Sequence, residues 1–186
     1  MSTVVYYVDT NPTEEKKRRK IVIIKQEVYK DVELHTFKRV EAAADMTAKQ
    51  ENAISADTTE NMDGAVIARY VEYRNAQLRR KMSSILLDME SLGADDVLSL
   101  DEVFAYNLSL STDFKDAMLR PLAEYMHRFL VWGALYDWYN QLGMRQEAAI
   151  YGSELQEIED EINNITRVPS WAKRPLQPFG PARKIF

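Results

Sequence analysis

Residues 113–142 read DFKDAMLRPLAEYMHRFLVWGALYDWYNQL and residues 144–166 read MRQEAAIYGSELQEIEDEINNIT, with Gly143 between them. In the first stretch Met118, Leu122, Tyr125, Phe129, Trp132, Tyr136 and Tyr139 alternate four and three apart. In the second, Ala148, Tyr151, Leu155, Ile158, Ile162 and Ile165 do the same. That period gives each stretch one apolar stripe along a helix. Two such helices joined by a glycine turn predict an antiparallel helical hairpin, roughly 30 Å tall at 1.5 Å per residue. Pro121 predicts a kink, or the start of the main helix close to it. Gly133 and Gly152 are nearly equidistant from the turn and predict close helix approach at that level. Leu130, Val131, Leu135 and Trp138 fall off the stripe, so this helix is apolar nearly all round. A helix of that kind is covered on several sides, by the chain's first long helix or by an adjacent subunit.

Working outward, residues 64–92 predict another long helix. Its stripe is Ile67, Val71, Leu78, Met82, Ile85 and Met89, with Arg74, Arg79, Arg80 and Lys81 on other faces and Gly93 as the stop. Residues 94–112 read as a connection in which Asp95 and Asp96 cap a helix start. Ser99 and Glu102 have the spacing of a capping box and predict a short helix to about Tyr106.

The N-terminal part reads as β. Residues 3–8, 20–28 and 32–37 are rich in β-branched and aromatic residues, with turns at 9–12 and 29–31. Residues 14–20, Glu-Glu-Lys-Lys-Arg-Arg-Lys, lie between the first two strands as a solvated loop tip or a contact for an acidic or phosphate-bearing surface. Residues 40–63 are polar and alanine-rich. The expected fold is mainly α with a small N-terminal β segment. It divides into the β segment 1–38, a polar connector or weak helix 39–63, a helical bundle 64–166, and an extended arm 167–186.

The arm differs in chemistry from everything before it. Pro169, Pro175, Pro178 and Pro181 prohibit both helix and central strand. Arg167, Lys173, Arg174, Arg183 and Lys184 are unopposed by any acidic residue, and Trp171, Leu176, Phe179, Ile185 and Phe186 are apolar. An extended segment of this kind docks into a groove, and its prolines reduce the entropy lost in doing so.

Bulk composition narrows the function classes. With 46% hydrophobic and 28% charged residues, the 186-residue chain has the balance of a globular protein. Its net charge of -5 argues against wholesale nucleic-acid binding while leaving room for a local basic patch. The absence of cysteine excludes disulfides, thiolate metal sites and cysteine nucleophiles, and fits a reducing compartment. Residues 1–10 do not resemble a secretory leader, and the longest apolar run, 129–136, is too short to span a bilayer. A soluble protein made in the cytosol is expected.

No catalytic constellation is legible. Glu124 and His127 share a helix face, as in di-iron bundles, but those need a second such motif and two further glutamates. The only other histidine is His35. An interfacial or partly buried histidine is the better reading of His127. There is no nucleophile elbow, and the six glycines never cluster into a phosphate loop. Glu157, Glu159, Asp160 and Glu161 surround Ile158 and read as a solvated face. The band Tyr125, Phe129, Trp132, Tyr136, Trp138 and Tyr139 reads as core before cofactor box.

Trp138-Tyr139 at a helix end, Ala148-Ala149-x-Tyr151, Arg167-x-Pro169 and Arg174-Pro175-Leu176-x-Pro178-Phe179-Gly180-Pro181 together resemble small structural proteins of tailed bacteriophages. The similarity covers roughly residues 113–186 and is greatest to the head-to-tail connector proteins of crAss-like phages of gut Bacteroidetes. The resemblance implies a non-catalytic neck-ring subunit without cofactor or metal, located in the virion after assembly in the host cytoplasm. Copies of the chain form a ring through heterologous contacts. Implied partners are the portal and other neck or tail proteins, with DNA passing through the lumen unread and no membrane involved. Trp138, Arg167, Trp171, Arg174, Phe179, Arg183 and Phe186 are the expected subunit-interface residues. Two alternatives stand beside it. One is a nucleic-acid-binding regulator using residues 16–20 and 167–184; the other is a metal enzyme using Glu124 and His127.

Overall fold

The computed structural model describes residues 4–8, 16–41, 62–87 and 99–167. The chain is mainly helical with a small antiparallel sheet, as its periodicity predicts. Strands β1 (Val4–Val8) and β2 (Lys16–Ile24) lead into helix α1 (Lys25–Glu41). Helix α2 (Met62–Lys81), strand β3 (Val103–Ser111), helix α3 (Leu119–Gln141) and helix α4 (Arg145–Thr166) follow. The sheet order is β1-β2-β3.

The hairpin is present, with its first helix starting at Leu119 rather than at residue 113. A 3₁₀ turn over Asp116–Met118 precedes α3, so Pro121 sits in the first turn of the helix. There its missing N–H costs no helical hydrogen bond. Gly143 takes φ +73° and closes the helix, a conformation nearly free of penalty only for glycine. The Met144 N–H donates to the Tyr139 carbonyl at 2.9 Å across that turn.

Two strand assignments are overturned. Residues 25–28 and 32–37 belong to α1, where Val28, Val32 and Thr36 are buried four residues apart. Helical spacing with polar residues between outweighs the β propensity of individual side chains. Residue 31, expected in a turn, lies mid-helix, and the expected boundary at residue 38 falls within α1.

The short helix expected after Ser99 is β3 instead. Ser99 and Glu102 do make the capping contacts, the Ser99 N–H donating to Glu102 Oε2 at 3.0 Å. They close only a turn, because Phe104, Tyr106, Leu108 and Leu110 recur every second residue and face the core. Glu102 is held below the ordinary carboxylate pKa by the backbone N–H and then the hydroxyl of Ser99.

The run 16–20, expected at a loop tip, is the first half of the central strand β2. The register pairs Ile21 with Tyr106 and Ile23 with Phe104 on the core face. Residues 16–41 therefore share one core with β3 and the helices. Helix α2 ends at Lys81, short of the expected residue 92, with Arg79, Arg80 and Lys81 suiting its carbonyl end. The chain then turns so that residues 85–87 run along the outer edge of β3. Leu87 N–H donates to the Asn107 carbonyl at 2.8 Å, and Ser109 N–H donates to the Ile85 carbonyl at 2.7 Å. Residues 88–98, including Met89, Gly93, Asp95 and Asp96, lie outside the described residues, as do 42–61 and 168–186.

Helix α3 is the central post. It touches α1, α2, α4, β1 and β2, which explains why its off-stripe residues are apolar. Leu130, Val131 and Leu135 have no exposed surface. The cover comes from within the chain.

Candidate functional site

The described residues gather ionisable side chains into pairs between elements rather than into a cleft. The pair least exposed on both sides is Arg74 of α2, 7% exposed, with Asp137 of α3. Arg74 Nε donates to Asp137 Oδ2 at 2.7 Å and Nη2 donates to Oδ1 at 2.6 Å, a two-pronged ion pair. Nη1 donates to Gln77 Oε1 at 3.0 Å, and the guanidinium lies 5.5 Å from the Tyr136 ring centroid. Gly133 makes room for this side chain: a Cβ there would stand 2.6 Å from Arg74 Cδ. Arg74, expected on an outer face, is thus part of the interior. Gly133 admits an arginine from α2, while Gly152 admits the Tyr136 ring.

His127 is 4% exposed and its Nε2 donates to Asp31 Oδ2 at 2.7 Å, tying α3 to α1. The carboxylate can only accept, which places the proton on Nε2. Glu124 points away and accepts from Arg120 at 3.2 Å on the surface. Among the described residues no group of three or more His, Cys, Asp or Glu side chains is arranged to hold a metal ion. Their helices include none long and apolar enough to cross a membrane.

Strand alternation splits the basic run. Lys17 and Arg19 point to the core side: Lys17 Nζ donates to the Phe114 carbonyl at 2.9 Å, and Arg19 Nε and Nη2 donate to Asp116, each at 3.1 Å. The Arg19 hydrogen bonds hold the Asp116 carboxyl below its ordinary range. Lys16, Arg18 and Lys20 lie on the opposite face of the sheet, in register with Ser111, Ser109 and Asn107.

Aromatic residues form a ladder between α1, α3 and α4. His35 meets Trp132 edge-on at 4.4 Å, Trp132 meets Tyr151 edge-on at 6.1 Å, and Tyr151 stacks on Tyr139 at 5.5 Å. Trp132 Nε1 donates to Glu154 of α4. The band is core and inter-helix packing, with the Tyr106 hydroxyl of β3 donating to Asn75 of α2 at 2.7 Å nearby in the interior.

Of the expected interface residues, Trp138 lies inside the chain at 5% exposure, and its buried indole N–H makes no hydrogen bond among the described residues. Arg167 is exposed at the end of α4 in extended conformation. Trp171, Arg174, Phe179, Arg183 and Phe186 lie outside the described residues. The acidic run behaves as read: Ile158 is buried while Glu157, Asp160 and Glu161 face outward, and Glu159 pairs with Lys81 of α2 at 2.6 Å. An open polar groove of about 610 Å³ lies beside it, lined by Lys81, Ser84, Asp160, Asn163, Asn164 and Arg167 among others.

Asp31, Asp116 and Asp137 escaped the sequence reading. Asp137 had a signal: the one acid in the apolar stretch 129–139, one turn after a glycine, calls for a buried cation opposite. Comparison with family models, with curated proteins and with solved structures finds no match for this chain.

Proposed function

We propose that the chain is a non-catalytic structural subunit of a tailed-phage virion. It is one protomer of an oligomeric connector ring between portal and tail, and its residues 167–186 clasp a neighbouring subunit. The observation that carries this reading is the use made of buried charge. Arg74 with Asp137, His127 with Asp31 and Arg19 with Asp116 each join two different elements of the fold. Such pairs specify how elements are placed and offer no open position for a substrate. The likeness of residues 113–186 to connector proteins supplies the particular assembly.

The mass and symmetry of native particles test it, by light scattering and electron microscopy. A closed ring is expected; a monomer at all concentrations overturns the reading. Removal of residues 168–186 is expected to leave the hairpin folded and to abolish incorporation into particles.

A second reading, a nucleic-acid-binding protein, draws on Lys16, Arg18 and Lys20 sharing one sheet face. It requires duplex binding whose affinity falls steeply with salt, by a slope of about -0.9 per phosphate neutralised.

A further inference from the structure

Among the described residues, the outer face of α4 is without a partner helix, and it carries two kinds of surface. Near the hairpin turn it exposes one large apolar side chain, Ile150 at 45%, with Ala149 beside it, and Leu142 just before the turn is 39% exposed. Toward its C-terminal end it is acidic. Glu157, Asp160 and Glu161 are exposed and have no ion-pair partner among the described residues, whereas Glu154 and Glu159 are used inward by Trp132 and Lys81. Helix α4 holds six acidic residues and one basic, while residues 168–186 hold four basic residues and no acidic one.

Resting on the ring reading, we infer that the outer face of α4 is the seat of the arm, and that the arm it receives is residues 168–186 of a second copy of this chain. The spacing agrees. Asp160 and Ile150 are ten residues apart on the helix, about 15 Å. Arg174 and Phe179 are five residues apart, about 16 Å in extended proline-rich chain. A cation of the arm therefore reaches the acidic half while Phe179 reaches Ile150, and Lys173 lies beside Asp160 or Glu161.

The chain's exit from α4 favours another copy over the same one. Arg167 leaves the helix extended, at φ −75° and ψ 111°. Pro169 disfavours helical backbone at the residue before it.

The test uses the full chain, prepared as an equal mixture of ¹⁴N- and ¹⁵N-labelled copies and treated with a zero-length carbodiimide that joins lysine amines to carboxylates. Mass spectrometry is expected to find Lys173 joined to Glu157, Asp160 or Glu161 in peptides of mixed isotope. The triple variant E157K/D160K/E161K is expected to raise the concentration needed for assembly about tenfold or more, the attraction for Lys173 and Arg174 having become repulsion. Reversal of arm charges in the partner copy (K173E/R174E) restores pairing of the two variants when mixed. Same-isotope cross-links alone place the arm on its own helix and overturn the inference. Rings that form without these cross-links, or that tolerate the triple variant, overturn it while leaving the ring reading intact. Monomers by mass overturn the ring reading itself.

Discussion

Helices α3 and α4 are almost equal in length, 23 and 22 residues, yet they do opposite work. Thirteen residues of α3 are buried, against five of α4. Helix α3 is surrounded, and its polar residues at depth, His127 and Asp137, are bonded to other elements. Helix α4 packs by a single stripe and turns its charge outward. The difference separates a post that defines the fold from a cover whose outer side is exposed among the described residues. Those two roles call for different tolerances to change.

The contrast can be broken most forcefully at the post. Phe129→Ala, at a site with no exposure, is expected to lower unfolding free energy by about 3–5 kcal/mol, measured by urea denaturation. Asp137→Ala leaves Arg74 buried without its counter-charge and is expected to cost about 3 kcal/mol. If either cost less than Ile158→Ala on α4, expected at about 2 kcal/mol, α3 would not be the central element.

Gly133→Ala sharpens the comparison at one methyl group. The new Cβ meets the middle of the Arg74 side chain, whose end is pinned by Asp137, so about 1–3 kcal/mol is expected. The double change Gly133→Ala with Arg74→Lys recovers little, because lysine cannot make the two-pronged contact.

A smaller effect belongs to the Arg19–Asp116 pair at the entrance to α3. The folded pKa of Asp116 is depressed by the Arg19 hydrogen bonds. Its contribution is therefore complete above the unfolded carboxylate value, about 3.9, and is lost as pH falls through the lower folded value. Because half of the Asp116 side chain meets solvent, the expected contribution is under about 1 kcal/mol. Asp116→Asn should remove that part of the acid destabilisation below about pH 4, read from denaturation midpoints at pH 6 and pH 3.

The smallest expected effect is on α4's outer face. E157K/D160K/E161K should change the chain's own unfolding free energy by no more than about 0.5 kcal/mol, since these side chains are exposed among the described residues. Together with an assembly defect, that result would separate a working surface from a folding one.

The hairpin was legible because a helix half-immersed in a core records its orientation every three or four residues. The period of 118–139 and 148–165, Pro121 and Gly143 sufficed to place it. The first helix and the third strand were misread for one reason. In each, a local preference pointed one way and the spacing of buried residues another: β-branched side chains in 28–37, a capping pair at Ser99 and Glu102. Attention to Val28, Val32 and Thr36, or to Phe104, Tyr106, Leu108 and Leu110, corrects both.

The sequence by itself determined the period of its elements, the stop at Gly143 and the opposite charges of α4 and the arm. Tertiary structure alone decided that β3 pairs with β2, that Arg74 is an interior residue, and that Lys17 and Arg19 are drawn inward while Lys16, Arg18 and Lys20 are turned to the other face. The reason is distance along the chain. Arg74 and Asp137 are 63 residues apart, His127 and Asp31 are 96 apart, and Arg19 and Asp116 are 97 apart. Periodicity reports which side of an element is buried; only the folded core says what it is buried against.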